Sequence, residues 1–196
     1  MQPHKPFQYA VAHGRFQPFH NEHLTYLRWA HTYGTHLFIG ITNFDRTSIQ
    51  KEATSHHRHT AFANPFSYWE RSAMIKDALL EAGVDPTQFT IVALPIHEPE
   101  KWSEFVPTDP NESIHLLRIF SEWEQEKASR LRSAGYKVTT ETGLLKLISA
   151  STIREALLSD RNYSDLVPPA VAVWLKRINA KLRLENLNAL ESLEQK

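Results

Sequence analysis

The stretch FQYAVAHGRFQPFHNEH, residues 7–23, decides the fold of this 196-residue chain. Its apolar run at 7–12 predicts a buried strand, and Gly14 after that run predicts a tight turn. Helical spacing of apolar residues follows at 23–31, so a helix is predicted there. A strand, a turn and a helix in succession form the repeating unit of a parallel sheet.

The rest of the chain repeats this alternation. Further strands are predicted at 37–41, 89–94, 114–120 and 136–140, and helices at 67–82, 122–134, 151–158 and from 169 towards the C-terminus. The pattern predicts an α/β fold, a Rossmann-like parallel sheet with helices on both faces. We expect one domain at 1–178 and a C-terminal helical tail at 179–196, whose Leu- and Glu-rich composition is also compatible with a homo-oligomer contact.

Composition narrows the function classes. The chain has no cysteine, which excludes disulfides, thiolate metal sites and a cysteine nucleophile. Lys+Arg and Asp+Glu are both 22, so a nucleic-acid-binding face is not predicted. Neither a signal peptide nor a membrane-spanning stretch is evident, and we expect a cytoplasmic protein that does not contact membranes.

His20 and His23 suggest a site for an anion. Three positions separate them, so a helix would place both rings on one face, one turn apart. Near a helix N-terminus, imidazole and backbone N–H groups can donate to phosphate oxygens. An isolated H-x-x-H pair is also compatible with ordinary surface residues or with zinc ligands.

A second candidate, ISASTIRE at residues 148–155, lies at another predicted helix start. Hydroxyls from Ser149, Ser151 and Thr152 can donate to phosphates there, and Arg154 adds a forked cation. Thr152 and Glu155 alternatively fit a capping box, which would explain the threonine but not the arginine.

Together these motifs resemble the nucleotidyltransferase superfamily, closest to archaeal-type nicotinamide mononucleotide (NMN) adenylyltransferases. The first resembles the family signature G-R-F-Q-P-F-H-x-G-H, and the second resembles I-S-x-[ST]-x-I-R. The resemblance implies the nucleotidyltransferase type of fold. It implies catalytic roles for His20, His23 and Arg154, and nucleotide contacts by Gly14, Arg15, Phe16, Ser149, Ser151 and Thr152.

Two further stretches are similar to the same family. Residues 64–75, NPFSYWERSAMI, match N-P-F-[ST]-x-x-E-R-x-x-M-I, which we interpret mainly as a helix entry with Ser67 as N-cap and Glu70 three residues later. The role of Arg71 stays open. The stretch LPIH at 94–97, followed by Trp102, resembles the part that surrounds nicotinamide, so Trp102 is expected to stack on that ring or else to lie in the core.

The implied reaction is transfer of AMP from ATP to NMN or nicotinate mononucleotide, with release of pyrophosphate. Mg²⁺ would be held by phosphate and water, and no protein metal ligands are predicted. Two alternatives stay open. One is transfer to another phosphate-bearing small molecule or with another base, and the other is a non-catalytic nucleotide binder.

Two departures from the family pattern concern its nucleobase end. Glu22 replaces the glycine of H-x-G-H, and SEWE at 121–124 replaces an Asn-rich turn. Glu22 is either a first-turn acid that points to solvent or a cause of altered base choice or lost activity. The long stretch 43–63 carries Asp45 and a cluster of three histidines, for which a solvated loop is favoured over a metal site: His56, His57 and His59.

Overall fold

Five strands form one parallel sheet in the described part of the chain. The computed structural model describes residues 5–45, 47 and 60–194. The strands are β1 Phe7–Gly14, β2 Gly34–Ile41, β3 Phe89–Ala93, β4 Ser113–Arg118 and β5 Val138–Glu141. The predicted parallel α/β fold is confirmed, and the predicted strands differ from these only at their ends.

The central strand β1 is buried between its two neighbouring strands. Ala10, Val11 and Ala12 have no exposed surface, as expected for a strand covered on both faces. β1 pairs with β2 on one side and with β4 on the other, in the order β3-β2-β1-β4-β5. The direction of strand succession therefore reverses between β1 and β4, which is where ligands bind in sheets of this type.

Gly34 is the first residue of β2. A Cβ atom at this position would lie 2.4 Å from the backbone nitrogen of Ala10. Because no side chain fits at that distance, glycine permits the close approach of β2 to β1.

Six α-helices occur in the described residues: α1 Asn21–His31, α2 Tyr68–Glu81, α3 Glu122–Ser133, α4 Ala150–Leu158, α5 Pro169–Arg177 and α6 Ala180–Glu194. The single long C-terminal helix predicted from residue 169 is wrong, because Asn179 adopts a φ of 53° and separates α5 from α6. One local prediction is confirmed, since Ser67 and Glu70 form the capping box of α2. On α3, Arg130 donates to Glu126 at 2.5 Å.

The described residues form two compact units, each made of discontinuous segments. The first unit contains 5–14, 25–42 and 84–146, and the second contains 15–24, the described part of 43–83, and 147–194. In the first unit, Val11, Leu117 and Leu131 belong to one buried cluster. In the second, Trp174 Nε1 donates to Asp77 at 2.7 Å and joins α5 to α2. No helix among these residues has both the length and the apolar character needed to cross a bilayer.

Candidate functional site

The first motif leaves β1 through a left-handed residue. Gly14 ends the strand, and its carbonyl accepts a hydrogen bond from Thr42 N at 2.9 Å. The positive φ of 53° belongs to Phe16, so the tight turn predicted at Gly14 is wrong in position. A bulky residue adopts this backbone only where its surroundings enforce it. Phe16 has such surroundings, because its side chain is buried and its ring centroid lies 5.0 Å from that of His23.

His20 and His23 form a stacked pair at the start of α1. His20 directly precedes the helix, and its carbonyl accepts a hydrogen bond from Leu24 N at 3.0 Å. The two imidazole centroids are 3.5 Å apart with an interplanar angle of 24°. Phe19 also stacks on His23, with ring centroids 5.7 Å apart. The predicted placement of both rings on one face is confirmed, and aromatic packing fixes their orientation.

The second motif starts α4. Ser149 is its N-cap, and the Ser149 hydroxyl accepts from Thr152 N at 3.1 Å. The alternative of a Thr152–Glu155 capping box is wrong, because the helix already begins at Ala150. Ser151 and Thr152 are exposed on the first turn. The N–H groups of a first turn have no partner within their helix, so this surface can bind an anion.

Arg154 connects the second motif to the first. Its guanidinium is 5% exposed and donates from Nη1 to the carbonyl of Gln17 at 2.6 Å and from Nη2 to Ser151 Oγ at 3.2 Å. Burial lowers the pKa of Arg154 to about 10, so the group stays cationic at neutral pH. Arg154 therefore holds the backbone of residue 17 in place, and its contact with a phosphate stays a prediction.

Glu22 makes a second connection between the motifs. Its Oε1 accepts hydrogen bonds from Leu147 N at 2.6 Å and from Ile148 N at 2.9 Å. The interpretation of Glu22 as an acid that simply points to solvent is wrong. The carboxylate binds the backbone directly before the N-cap of α4.

Two buried residues around the first motif carry no predicted site role. Gln17 exchanges two hydrogen bonds with the backbone of Phe66, both at 2.9 Å. Arg71 is fully buried and donates to the carbonyls of Arg15 at 2.7 Å and Asn43 at 2.8 Å. Their partners are main-chain atoms, so no complementary side chain in the sequence indicates these contacts.

Trp102 lies in the first unit and belongs to its core. The ring is 3% exposed, its Nε1 donates to the carbonyl of Pro95 at 2.8 Å, and Tyr136 packs against it at 5.3 Å. The structure thus assigns Trp102 the core position, and stacking on a ligand ring stays a prediction.

In the long stretch 43–63, the structure describes Asp45 but not the three histidines. Asp45 accepts hydrogen bonds from the backbone and hydroxyl of Thr47 at 2.8 and 2.6 Å. His56, His57 and His59 lie outside the described residues. Within the described ranges, no group of three or more His, Cys, Asp or Glu residues could hold a metal ion.

Two similar proteins match this chain over most of its length. The phosphonoformate cytidylyltransferase of Streptomyces viridochromogenes is 31% identical over 89% of this chain and 94% of its own. The nicotinamide-nucleotide adenylyltransferase of Thermococcus sibiricus is 30% identical over 89% of this chain and 86% of its own.

A solved structure supports the same fold. It is the bifunctional NMN adenylyltransferase/ADP ribose pyrophosphatase of Francisella tularensis, with a TM-score of 0.71 and 19% identity. It covers 95% of this chain, which spans only 54% of that longer protein. The same protein in complex with AMP and a manganese ion has a TM-score of 0.70.

A family match completes the assignment. The sequence model of the cytidylyltransferase-like family matches residues 11–156, a range that contains both motifs. The predicted nucleotidyltransferase family is confirmed by this match and by the curated relatives. The chain belongs to the cytidylyltransferase-like family of nucleotidyltransferases.

Proposed function

We propose that the chain transfers a nucleotidyl group from a nucleoside triphosphate to a small acceptor that carries a phosphate or phosphonate. One observation carries this proposal. The stacked imidazoles of His20 and His23 and the start of α4 belong to one compact unit, where Arg154 and Glu22 tie the two motifs together. Imidazoles, hydroxyls and first-turn N–H groups are donors that suit phosphate oxygens.

The chemistry requires positioning more than proton transfer. An acceptor oxygen attacks the α-phosphorus, and the bond between that phosphorus and the pyrophosphate oxygen breaks. The acceptor is already ionised near neutral pH, so no general base is needed. His20 and His23 stabilise the charge that develops on the phosphates, and Arg154, Ser149, Ser151 and Thr152 contribute from the start of α4.

Nicotinamide mononucleotide with ATP is the first substrate pair to test. The resemblance of both motifs to NMN adenylyltransferases supports it, and so does the similarity to the Thermococcus relative. Gly14, Arg15 and Phe16 are then expected to contact the nucleotide.

Transfer of CMP from CTP to a small phosphonate is a second candidate. The Streptomyces relative matches nearly its whole length and is named for such a reaction. Glu22 also favours this candidate, because the adenylyltransferase signature has glycine at that position.

Mg²⁺ is the proposed cofactor. Oxygen ligands suit this ion, and we expect the triphosphate and water to supply most of them. The manganese ion in the related Francisella complex supports a divalent metal. Removal of the ion by a chelator is expected to stop turnover, and added Mg²⁺ is expected to restore it.

A turnover matrix tests the proposal. ATP, CTP, GTP and UTP are each combined with NMN, nicotinate mononucleotide and phosphonoformate, while pyrophosphate release and product mass are measured. His20→Ala and His23→Ala should each reduce turnover by about 100-fold or more, as for other lost charge-stabilising donors. His36→Ala is the matched control, because this β2 histidine contacts Thr90 in the first unit.

The outcomes separate the candidates. ATP with a mononucleotide, or CTP with phosphonoformate, should give the best turnover and identify the acceptor class. Calorimetric binding of a nucleotide without pyrophosphate release in any combination would instead support a non-catalytic nucleotide binder. Turnover that survives His20→Ala would contradict the proposed site.

A further inference from the structure

We propose that Glu22 is a positioning residue that preorganises the start of α4 for the nucleoside triphosphate. This inference rests on the proposed function, since it names how the same site is held ready. It assigns a role to the residue at which the chain departs from the family signature. The relevant contacts all lie within the second compact unit.

The geometry of the carboxylate is specific. Glu22 lies on the first turn of α1, between His20 and His23. One oxygen, Oε1, accepts from two successive backbone N–H groups, those of Leu147 and Ile148. Hydrogen bonds to a charged acceptor are shorter and stronger than neutral ones, and the two distances of 2.6 and 2.9 Å agree with that.

The bound segment depends on this contact because its side chains anchor it weakly. The side chain of Leu147 is 81% exposed, and Ile148 is half-buried. Apolar burial therefore contributes little to holding the backbone at 147 and 148. A glycine at position 22 could not supply the two acceptor contacts, so the backbone before α4 would lose its connection to α1.

The contact acts on the phosphate-binding groups through the N-cap. Ile148 immediately precedes Ser149, whose hydroxyl caps the helix and lies 2.8 Å from the hydroxyl of Thr152. Further along α4, Arg154 binds the carbonyl of Gln17. The hydrogen bonds of Glu22 and of Arg154 together restrict the direction of the α4 start more than either would alone. Glu22 thus reduces the ordering cost that a triphosphate would otherwise pay on binding.

Kinetics and hydrogen exchange of the full chain test this role. Glu22→Ala removes the acceptor, Glu22→Gln keeps an oxygen acceptor without the charge, and Glu126→Ala removes an exposed acid from α3 as a matched control. Steady-state kinetics with the best substrate pair give KM and kcat for each variant. Amide exchange at residues 147 and 148 is measured without substrate.

Glu22→Ala should raise KM for the nucleotide about 10-fold while kcat and the acceptor KM stay within about 3-fold. The amides of residues 147 and 148 should exchange about 10-fold faster in the same variant. Glu22→Gln should restore most of both properties, and Glu126→Ala should behave as wild type. A merely structural role would not confine the kinetic change to the nucleotide.

Unchanged exchange at 147 and 148 in Glu22→Ala would overturn the proposal, and so would an unchanged nucleotide KM. Failure of the proposed reaction is a separate result. If wild type turns over no substrate pair, calorimetric affinity for the nucleotide replaces KM, and the exchange measurement still tests the contact.

Discussion

Arg71 shows how a single side chain fixes the backbone around the first motif. It is the largest fully buried side chain in the described residues. Its guanidinium donates to the carbonyls of Arg15 and Asn43, and its Nε donates to Ser67 O at 3.2 Å. Buried carbonyls that lose their donor incur a desolvation cost, and a rigid fork of N–H groups is well suited to three of them.

Replacing Arg71 with methionine should therefore lower the free energy of unfolding by about 3 kcal/mol, because apolar packing is kept while the donors are lost. Urea denaturation measures the change. Arg130→Met is the control, since Arg130 pairs with Glu126 on the surface of α3, its side chain is 63% exposed, and such a pair contributes less than about 1 kcal/mol. Equal losses in the two variants would show that the carbonyl contacts of Arg71 contribute nothing special.

Residue identity alone predicted part of this site. The spacing of His20 and His23 predicts that both rings share one face, because helical geometry places residues three apart on the same side. The partners of Glu22 and Arg71 could not be predicted in the same way. They are N–H and C=O groups, which almost every residue carries, and for Glu22 they lie 125 and 126 positions away in the chain.

The helices show where element boundaries come from. Apolar periodicity predicts one helix from residue 169 onward, since neither glycine nor proline interrupts it there. Asn179 nevertheless adopts the left-handed conformation that asparagine tolerates better than most residues. After this break, α6 buries Leu184 and places Arg183 Nη1 2.8 Å from Glu70. These tertiary contacts of α6 accompany the break at Asn179, and apolar periodicity along the sequence does not show them.

Substitutions at Asn179 test whether its conformation limits stability. Asn179→Gly should leave the free energy of unfolding unchanged or raise it by less than about 1 kcal/mol, whereas Asn179→Ala should lower it by about 1 kcal/mol. Thermal and urea unfolding measure both. Asn186→Ala, at an exposed position inside α6, should have the opposite sign because alanine favours helices. A stabilising Asn179→Ala would contradict the strain argument.

On the scale of the whole molecule, alternation of strands and helices was enough to predict the sheet. Right-handed connections between parallel strands leave few topologies for such a pattern. The division into two compact units was not predicted, because each unit combines segments far apart in sequence. A boundary between a domain at 1–178 and a tail at 179–196 stays a prediction, as does the homo-oligomer.

Two buried histidines on the sheet link folding stability to pH. His13 of β1 is 4% exposed and His115 of β4 is 1% exposed, with ring centroids 6.0 Å apart. Their ring nitrogens have no hydrogen-bond partner among the described residues. Burial, together with the charge of Lys127, lowers the pKa of His115 to about 3 and holds the pKa of His13 well below its usual value.

The sign of the effect follows from these shifts. Below about pH 6.5 the unfolded chain binds protons at both imidazoles, whereas the folded chain does not. The free energy of unfolding should therefore be highest above pH 6.5 and should fall as the pH drops towards 3, by at most about 1.4 kcal/mol per pH unit for each histidine. Urea denaturation at pH 7.5 and pH 5.0 measures this fall.

In the double variant His13→Leu, His115→Leu the fall should be smaller by about 2 kcal/mol or more. His36→Leu, at a half-buried position of β2, should keep the wild-type fall. An equal fall in wild type and the double variant would locate the pH dependence elsewhere, because the two imidazoles would then titrate alike in the folded and unfolded chain.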